Sequence, residues 1–312
     1  DEAEQLRSRC QGSEAIVTAV KETEKKVKAP KLYDLTTLQR EANRIYGMTA
    51  KQTLDTAQSL YEKKLITYPR TDSQYLTEDM EQTARNVVRQ IYEKYQLTGP
   101  FDQPEQPDVK KVMNNSKVTD HHAIIPTMEL ASCHLDELKS WEEKILFLIA
   151  VHTVMAMSKD HIYQETEIEV ECQGEIFKAK GKNVLQDGWK VFENCFKNKD
   201  RMAIVDPDQE MKERMPKVTQ GQTFYAVAAE KTEHFTSPPK PYSEDTLLAA
   251  METAGNKEFD EDTEKKGLGT PATRAGIIEK LIYSQYATRK GKQILPTCLL
   301  YTSPSPRDRS VS

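Results

Sequence analysis

The sequence lacks a long apolar run. Its longest, Ile145 to Val151, falls far short of the roughly 20 residues of a membrane-spanning helix and is flanked by charge. Cysteine is sparse. Five residues, an odd number at scattered positions with no Cys-x-x-Cys, argue against a disulfide framework or a zinc ribbon and for reduced thiols in a cytoplasm-like compartment. No signal-peptide pattern opens the chain, since the first stretch is charged and helical in character. An excess of positive charge is also missing. Lys and Arg number 44 against 49 Asp and Glu, a net charge of −5. That balance argues against tight nonspecific duplex binding and is compatible with a narrow, locally basic groove for single strands.

What is present is a chain of 312 residues, 30% charged and 37% hydrophobic, which predicts a soluble protein of two or three domains. Ala15 to Val20 reads as a strand, followed by a solvated Lys/Glu run that closes at Pro30. From Leu35 the pattern is helical. Thr36 with Gln39 forms a capping box, Leu38, Ala42 and Ile45 an apolar face, and Gly47 a stop. Thr49 with Gln52 repeats the box, and Leu54, Ala57, Tyr61 and Leu65 continue one stripe, so the pair resembles a helix-turn-helix. Thr77 opens a further helix with Met80, Ala84, Val87, Val88, Ile91 and Tyr95 inward, and residues 96–120 read as a long polar loop. Leu135 to Met157 is helical, with Leu138, Trp141, Ile145, Leu148 and His152 spaced for one face.

At Tyr163 the period switches to two. Ile168, Val170 and Cys172 alternate with Glu165, Glu167, Glu169 and Glu171, and Gln173-Gly174 turns the chain back, giving a β-hairpin with an acidic, solvated face. Phe224 to Val227 supplies another strand. Ser237-Pro238-Pro239-Lys240-Pro241 is a stiff boundary, and residues 256–266 read as a mobile loop. Ser243 and Thr270 then cap two helices, the second with Pro271 at its first position and Ile277, Ile278 and Leu281 inward. With the basic turn Arg289-Lys290-Gly291-Lys292 they read as a winged helix.

Between these elements lies Ile66-Thr67-Tyr68-Pro69-Arg70-Thr71-Asp72-Ser73. Pro69 pushes Tyr68 toward extended backbone, so the phenol is presented rather than laid on a helix face. Arg70 can neutralise an anion facing that phenol, and its planar fork matches phosphate oxygens. Free tyrosine has a pKa near 10, so a nucleophilic phenol needs such a cation. A buried tyrosine beside a salt-bridging arginine would give the same pattern.

The octet, the preceding Leu32 to Gln39 and Tyr61 to Leu65, and two later blocks, His121-His122-Ala123-Ile124-Ile125-Pro126-Thr127 and Gly267-Leu268-Gly269-Thr270-Pro271-Ala272-Thr273-Arg274, closely resemble type IA DNA topoisomerases, with the bacterial topoisomerase III branch nearest. The resemblance covers roughly residues 10 to 297 in the family's order. It implies an α+β multidomain chain contributing parts of that family's toroid. Residues 1–33 and 135–236 would form a helix-bearing antiparallel β arch, 34–134 the mainly helical tyrosine domain, 237–297 a winged-helix-like DNA-binding domain, and 298–312 a disordered or non-native tail.

It also implies ATP-independent cleavage, passage and rejoining of single-stranded DNA through a 5′-phosphotyrosine on Tyr68, with Arg70 as the assisting cation. His121, His122, Thr270, Thr273, Arg274 and Gln39 would contact DNA. The acidic Toprim domain that holds Mg²⁺ in that family lies N-terminal to these blocks, whereas the Asp-x-Asp triplets here, Asp206-Pro207-Asp208 and Asp260-Glu261-Asp262, lie C-terminal to the octet, so the chain reads as an excised portion that binds no metal itself. It would act as a bacterial, cytoplasmic, nucleoid-associated monomer. Other classes stay open from the residues: a non-catalytic single-strand-binding module, a transcription regulator built on the winged helix, and a rolling-circle relaxase. The relaxase is disfavoured because its metal needs two histidines with one apolar residue between them, and His121 and His122 are adjacent.

Overall fold

The computed structural model describes residues 1–97, 107–193, 216–255 and 267–302. The expected mobile loop at 256–266 lies outside them, as do parts of the 96–120 loop and of the tail. The chain divides into two compact units, Asp1–Ala29 with Lys159–Pro238, and Pro30–Ser158 with Pro239–Ser312. The third crossing falls inside the proline-rich linker, where missing amide donors and fixed φ angles discourage regular structure.

The first unit holds helix α1 (Glu2–Cys10) and strands β1 (Ala15–Val27), β2 (His161–Cys172), β3 (Glu175–Gln186) and β4 (Thr223–Phe224). The strands form an antiparallel sheet in the order β3-β2-β1-β4. Gln173 and Gly174 both take positive φ (52° and 82°), the left-handed pair that matches the twist of a tight hairpin. β4 is shorter than the run Phe224–Val227 suggests. Ala226 sits at φ 54°, which ends the pairing. The glutamates of β2 meet lysines of the neighbouring strands, Glu169 with Lys178 at 2.7 Å, Glu167 with Lys180, and Glu165 with Lys25 at 3.9 Å. The alternation thus yields a charge-balanced, solvated face. Cys10, Ala15 and Cys172 form a small buried cluster in this unit.

The second unit is mainly helical: α2 (Leu35–Tyr46), α3 (Ala50–Glu62), α4 (Glu81–Tyr95), α5 (Ser140–Ala156), α6 (Glu244–Thr253) and α7 (Pro271–Tyr283), then the hairpin β5 (Ala287–Lys290) and β6 (Gln293–Pro296), and a last turn α8 (Cys298–Thr302). α2 begins earlier than Thr36 suggests. Asp34 is its N-cap, in a box with Thr37, because a carboxylate in extended backbone accepts the Thr37 amide at 2.7 Å. Thr36 and Gln39 are therefore buried. Gly47, at φ 71°, closes α2 in the left-handed conformation, and the Thr49–Gln52 box opens α3 as its sequence indicates. Asn43 and Gln39 tie the turn down by donating to the carbonyls of Met48 and Ala50.

α5 is buried on nearly every side from Ile145 to Val151, whereas Trp141 is 47% exposed. This corrects the one-face reading and the grouping of this helix with the strands: α5 packs against α3, in the second unit. In α7 the inward residues are Arg274, Ala275 and Ile278, while Ile277 and Leu281 are part-exposed. Leu248, Met251, Ala275 and Ile278 share a core with Ala50 at the start of α3. The α8 turn at Cys298–Thr302 is ordered structure where the tail was expected to lack it. No helix among the described residues is long and apolar enough to cross a membrane.

Candidate strand-cleavage site

The octet does not hang free. α3 ends at Lys63, Lys64 turns the backbone at φ 61°, and the chain then runs beside the segment carrying the two histidines. Thr67 is fixed on both sides, its amide donating to the Ile125 carbonyl, its hydroxyl to the Ala123 carbonyl at 2.9 Å, and the Ile125 amide donating back to that hydroxyl at 3.0 Å. Thr71 is fixed likewise, its hydroxyl donating to the His121 carbonyl at 3.0 Å and its carbonyl accepting from the Leu35 amide. Tyr68 lies between these anchors. Its half-buried ring rests on His121, centroids 4.3 Å apart at 44°, and the Tyr61 ring meets it edge-on at 5.4 Å. Arg70 is exposed and makes no hydrogen bond or ion pair among the described residues. His122 is half-buried, its Nδ1 within 2.9 Å of the Ala123 carbonyl, so that nitrogen carries the proton when the contact is a hydrogen bond.

The mount beneath the octet is ionic. Glu142, 3% exposed, accepts from the Lys63 ammonium (2.6 Å), the Ser59 hydroxyl (2.7 Å) and the Lys139 amide (3.0 Å). Burial alone would raise this carboxyl; the donors from Lys63, Ser59 and Lys139 prevail and lower it to about 2.

The third block is placed differently from the expectation. Thr270 and Thr273 form the box at the exposed start of α7. Arg274, by contrast, is 3% exposed and donates to the Leu268 carbonyl (3.1 Å) and the Thr36 hydroxyl (3.0 Å), with Glu252 at 3.9 Å. As a DNA contact it is corrected to a tie between α7 and the first turn of α2, the turn that also holds Thr71. Gln39 is corrected too, since it is fully buried and holds the α2–α3 turn rather than a box or a strand. In the basic turn, Arg289 is committed to Glu244 and Glu279.

The first glycine of this block has a steric reason. Gly267 sits at φ 64°, and a Cβ there would meet the Met251 and Glu252 carbonyl oxygens at 2.4 Å. Gly267→Ala should therefore lower stability by more than about 1 kcal/mol. Gly276→Ala, in open space on α7, should raise it by about 0.5–1 kcal/mol. Thermal melts of both variants check the pair.

Among the described residues no three His, Cys, Asp or Glu side chains come together in a way that could hold a metal ion. The chain's described side chains thus offer no fit for the Mg²⁺ that the resemblance implies.

The DNA topoisomerase family model matches residues 1–299. The chain belongs to the type IA DNA topoisomerase family. It is 39% identical over 311 residues to DNA topoisomerase 3 of Bacillus licheniformis, covering 94% of this chain and 41% of that protein. It is 38% identical over 309 residues to DNA topoisomerase 3 of Bacillus subtilis, covering 95% and 41%. The chain thus spans well under half the length of these curated relatives. Topoisomerase I from Thermotoga maritima shares its fold, with a TM-score of 0.68 at 24% identity over 95% of this chain and 45% of that one.

Within this topoisomerase-family chain, sequence reasoning missed three contributors. Tyr61 counts as core in the stripe Leu54–Leu65, yet it is 39% exposed and abuts Tyr68. Its place in the last turn of α3, directly before the octet, was the available signal. Glu142 left no local trace and Thr36 reads locally only as a cap, because their partners lie far away in the chain.

Proposed function

We propose that this chain carries the nucleophile half of a type IA topoisomerase active site and that Tyr68 cleaves single-stranded DNA by transesterification. The observation that carries the reading is the seating of the Tyr68 ring on His121, between two anchored threonines, with Arg70 two residues on, exposed and without a hydrogen bond or ion pair among the described residues. The Tyr68 oxygen attacks a backbone phosphorus, the bond to the 3′ oxygen breaks, and that oxygen leaves as a hydroxyl after taking a proton. A 5′-phosphotyrosine remains. One phosphoester replaces another, so the reverse step reseals the strand without ATP. Arg70 stabilises the phenolate and the charge building on the phosphoryl oxygens. His121, against the ring, contacts the phosphate or relays the proton. The exposed hydroxyls and amides at the start of α7 offer a further phosphate contact through Thr270 and Thr273.

Because the chain spans 41% of the curated relatives' length, the whole enzyme's relaxation or decatenation would need further parts. In that reading an acidic Toprim domain supplies Mg²⁺, and the protein works as a monomer in the bacterial cytoplasm. The test is adduct mapping. The full-length protein is mixed with labelled single-stranded oligonucleotide, denatured and digested, and the phosphonucleotide is located by mass spectrometry. It is expected on the peptide holding Tyr68, linked through a 5′-phosphate. An adduct on another residue, or through a 3′-phosphate, would overturn the assignment.

A further inference from the structure

We infer that Tyr75, with Lys31 and Lys117 beside it, binds a second nucleotide of the same single strand, apart from the phosphodiester at Tyr68. This rests on the strand-cleaving reading above. The Lys117 ammonium lies 5.1 Å and the Lys31 ammonium 5.6 Å from the Tyr75 ring centroid. Both lysines are exposed, and neither makes an ion pair among the described residues. In a chain where acids outnumber bases 49 to 44, two unpaired ammonium groups converging on one part-exposed aromatic ring set this spot apart. An aromatic face flanked by mobile cations is what a single strand requires, a platform for a base and charge for the phosphates on either side.

The clamp is continuous with the cleavage segment. The Ala123 amide donates to the Tyr75 carbonyl at 2.9 Å, and the Ser73 hydroxyl donates to the Lys117 carbonyl at 2.8 Å. Tyr75 therefore rides on the same paired segments that hold Tyr68 against His121. Lys31 and Gln74 also line a pocket of about 400 Å³, which lies within the size range of small-molecule sites. Its arginines, Arg40 and Arg44, are bound to Asp245 and Glu41, whereas Lys31 in its wall has no ion pair among the described residues. A base settling on one face of Tyr75 displaces one ammonium group. The flexible lysine stem then carries that charge to the adjoining phosphate, so the cation changes partner without being lost.

The experiment measures fluorescence anisotropy of a labelled oligothymidylate titrated with this 312-residue chain at several salt concentrations. Tyr75→Leu should weaken binding about ten-fold, and Tyr75→Phe, which keeps the ring, should bind as the parent does. Lys31→Gln with Lys117→Gln should reduce the salt slope by about 1.4, the share of two phosphate contacts on a single strand. Thymidine monophosphate added as competitor distinguishes a free nucleotide from the strand: the proposal expects displacement only at concentrations far above the oligonucleotide's dissociation constant. Parent-like binding by Tyr75→Leu, an unchanged salt slope in the double variant, equal loss in Tyr75→Phe and Tyr75→Leu, no binding by the parent chain, or preference for the free nucleotide would each overturn it. Thermal melts confirm that each variant is folded, and Tyr75→Phe together with the exposed lysine pair keeps the test decisive if Tyr75→Leu does not fold. Covalent adduct formation is scored separately, so failure of Tyr68 as nucleophile and failure of the Tyr75 clamp give different results.

Discussion

Tyr68→Phe in the full-length protein yields no DNA that stays attached after denaturation, while its melting temperature matches the parent's. The reason is local. Phenylalanine keeps the ring that packs on His121 at 4.3 Å and on Tyr61 at 5.4 Å, and it removes only the attacking oxygen. Arg70→Ala is the graded companion. Removing one preorganised donor to developing negative charge lowers rates by about 10²–10³, so single-turnover cleavage of a labelled oligonucleotide should slow by that factor. Stability should move by less than about 0.5 kcal/mol, because Arg70 is exposed and engages no partner among the described residues. A parent-like cleavage rate in Arg70→Ala would remove it from the mechanism. Lysine at that position should restore part of the rate, since it keeps the charge and loses the planar fork.

Glu142→Gln should be the most damaging substitution for the fold near the site. The carboxyl is held at about 2 against an ordinary 4.5. That difference corresponds to a contribution on the order of 3 kcal/mol. An amide at this place turns donor hydrogens toward the Lys63 ammonium and leaves that cation without its partner. The sign with pH follows from the depressed value. The contribution is complete above about pH 4.5, where the unfolded chain's carboxyl is already ionised, and fades as pH falls toward 2, where the folded one takes up its proton. Denaturant melts of parent and variant should therefore differ most at neutral pH and converge between pH 4.5 and 2. A constant difference across that range would show that Lys63 does not hold the charge. Because Lys63 leads directly into the octet, cleavage should fall along with stability.

What the sequence made legible was whatever depends on neighbours within a few residues. The Thr49–Gln52 box, the Thr270 cap with Pro271 after it, the Gly47 stop and the Gln173-Gly174 turn are all local choices, and each stands where its residues indicate. The approach of the second block to the first is not a local reading, and the structure sets His121 against Tyr68. Side chains with remote partners could not be read in this way. Arg274 carries the same charge whether it faces a phosphate or reaches Thr36, and only the packing of α7 on α2 decides. Gln39 is polar and three residues from a threonine, so it mimics a cap while lying in the core. For α5, a stripe at helical spacing can be read, but the residues between are also apolar, and the helix is enclosed.

The two threonine anchors have a mechanical meaning. A segment secured at one end swings like a cantilever, whereas one secured at both ends behaves as a clamped beam and deflects far less under the same load. Thr67 and Thr71 make the stretch bearing Tyr68 a beam of the second kind. On the proposed cleavage by Tyr68, tension on a DNA end joined to the phenol would pass into the neighbouring segment 121–127 instead of rotating the tyrosine away, and the phosphorus would stay where the returning strand can meet it.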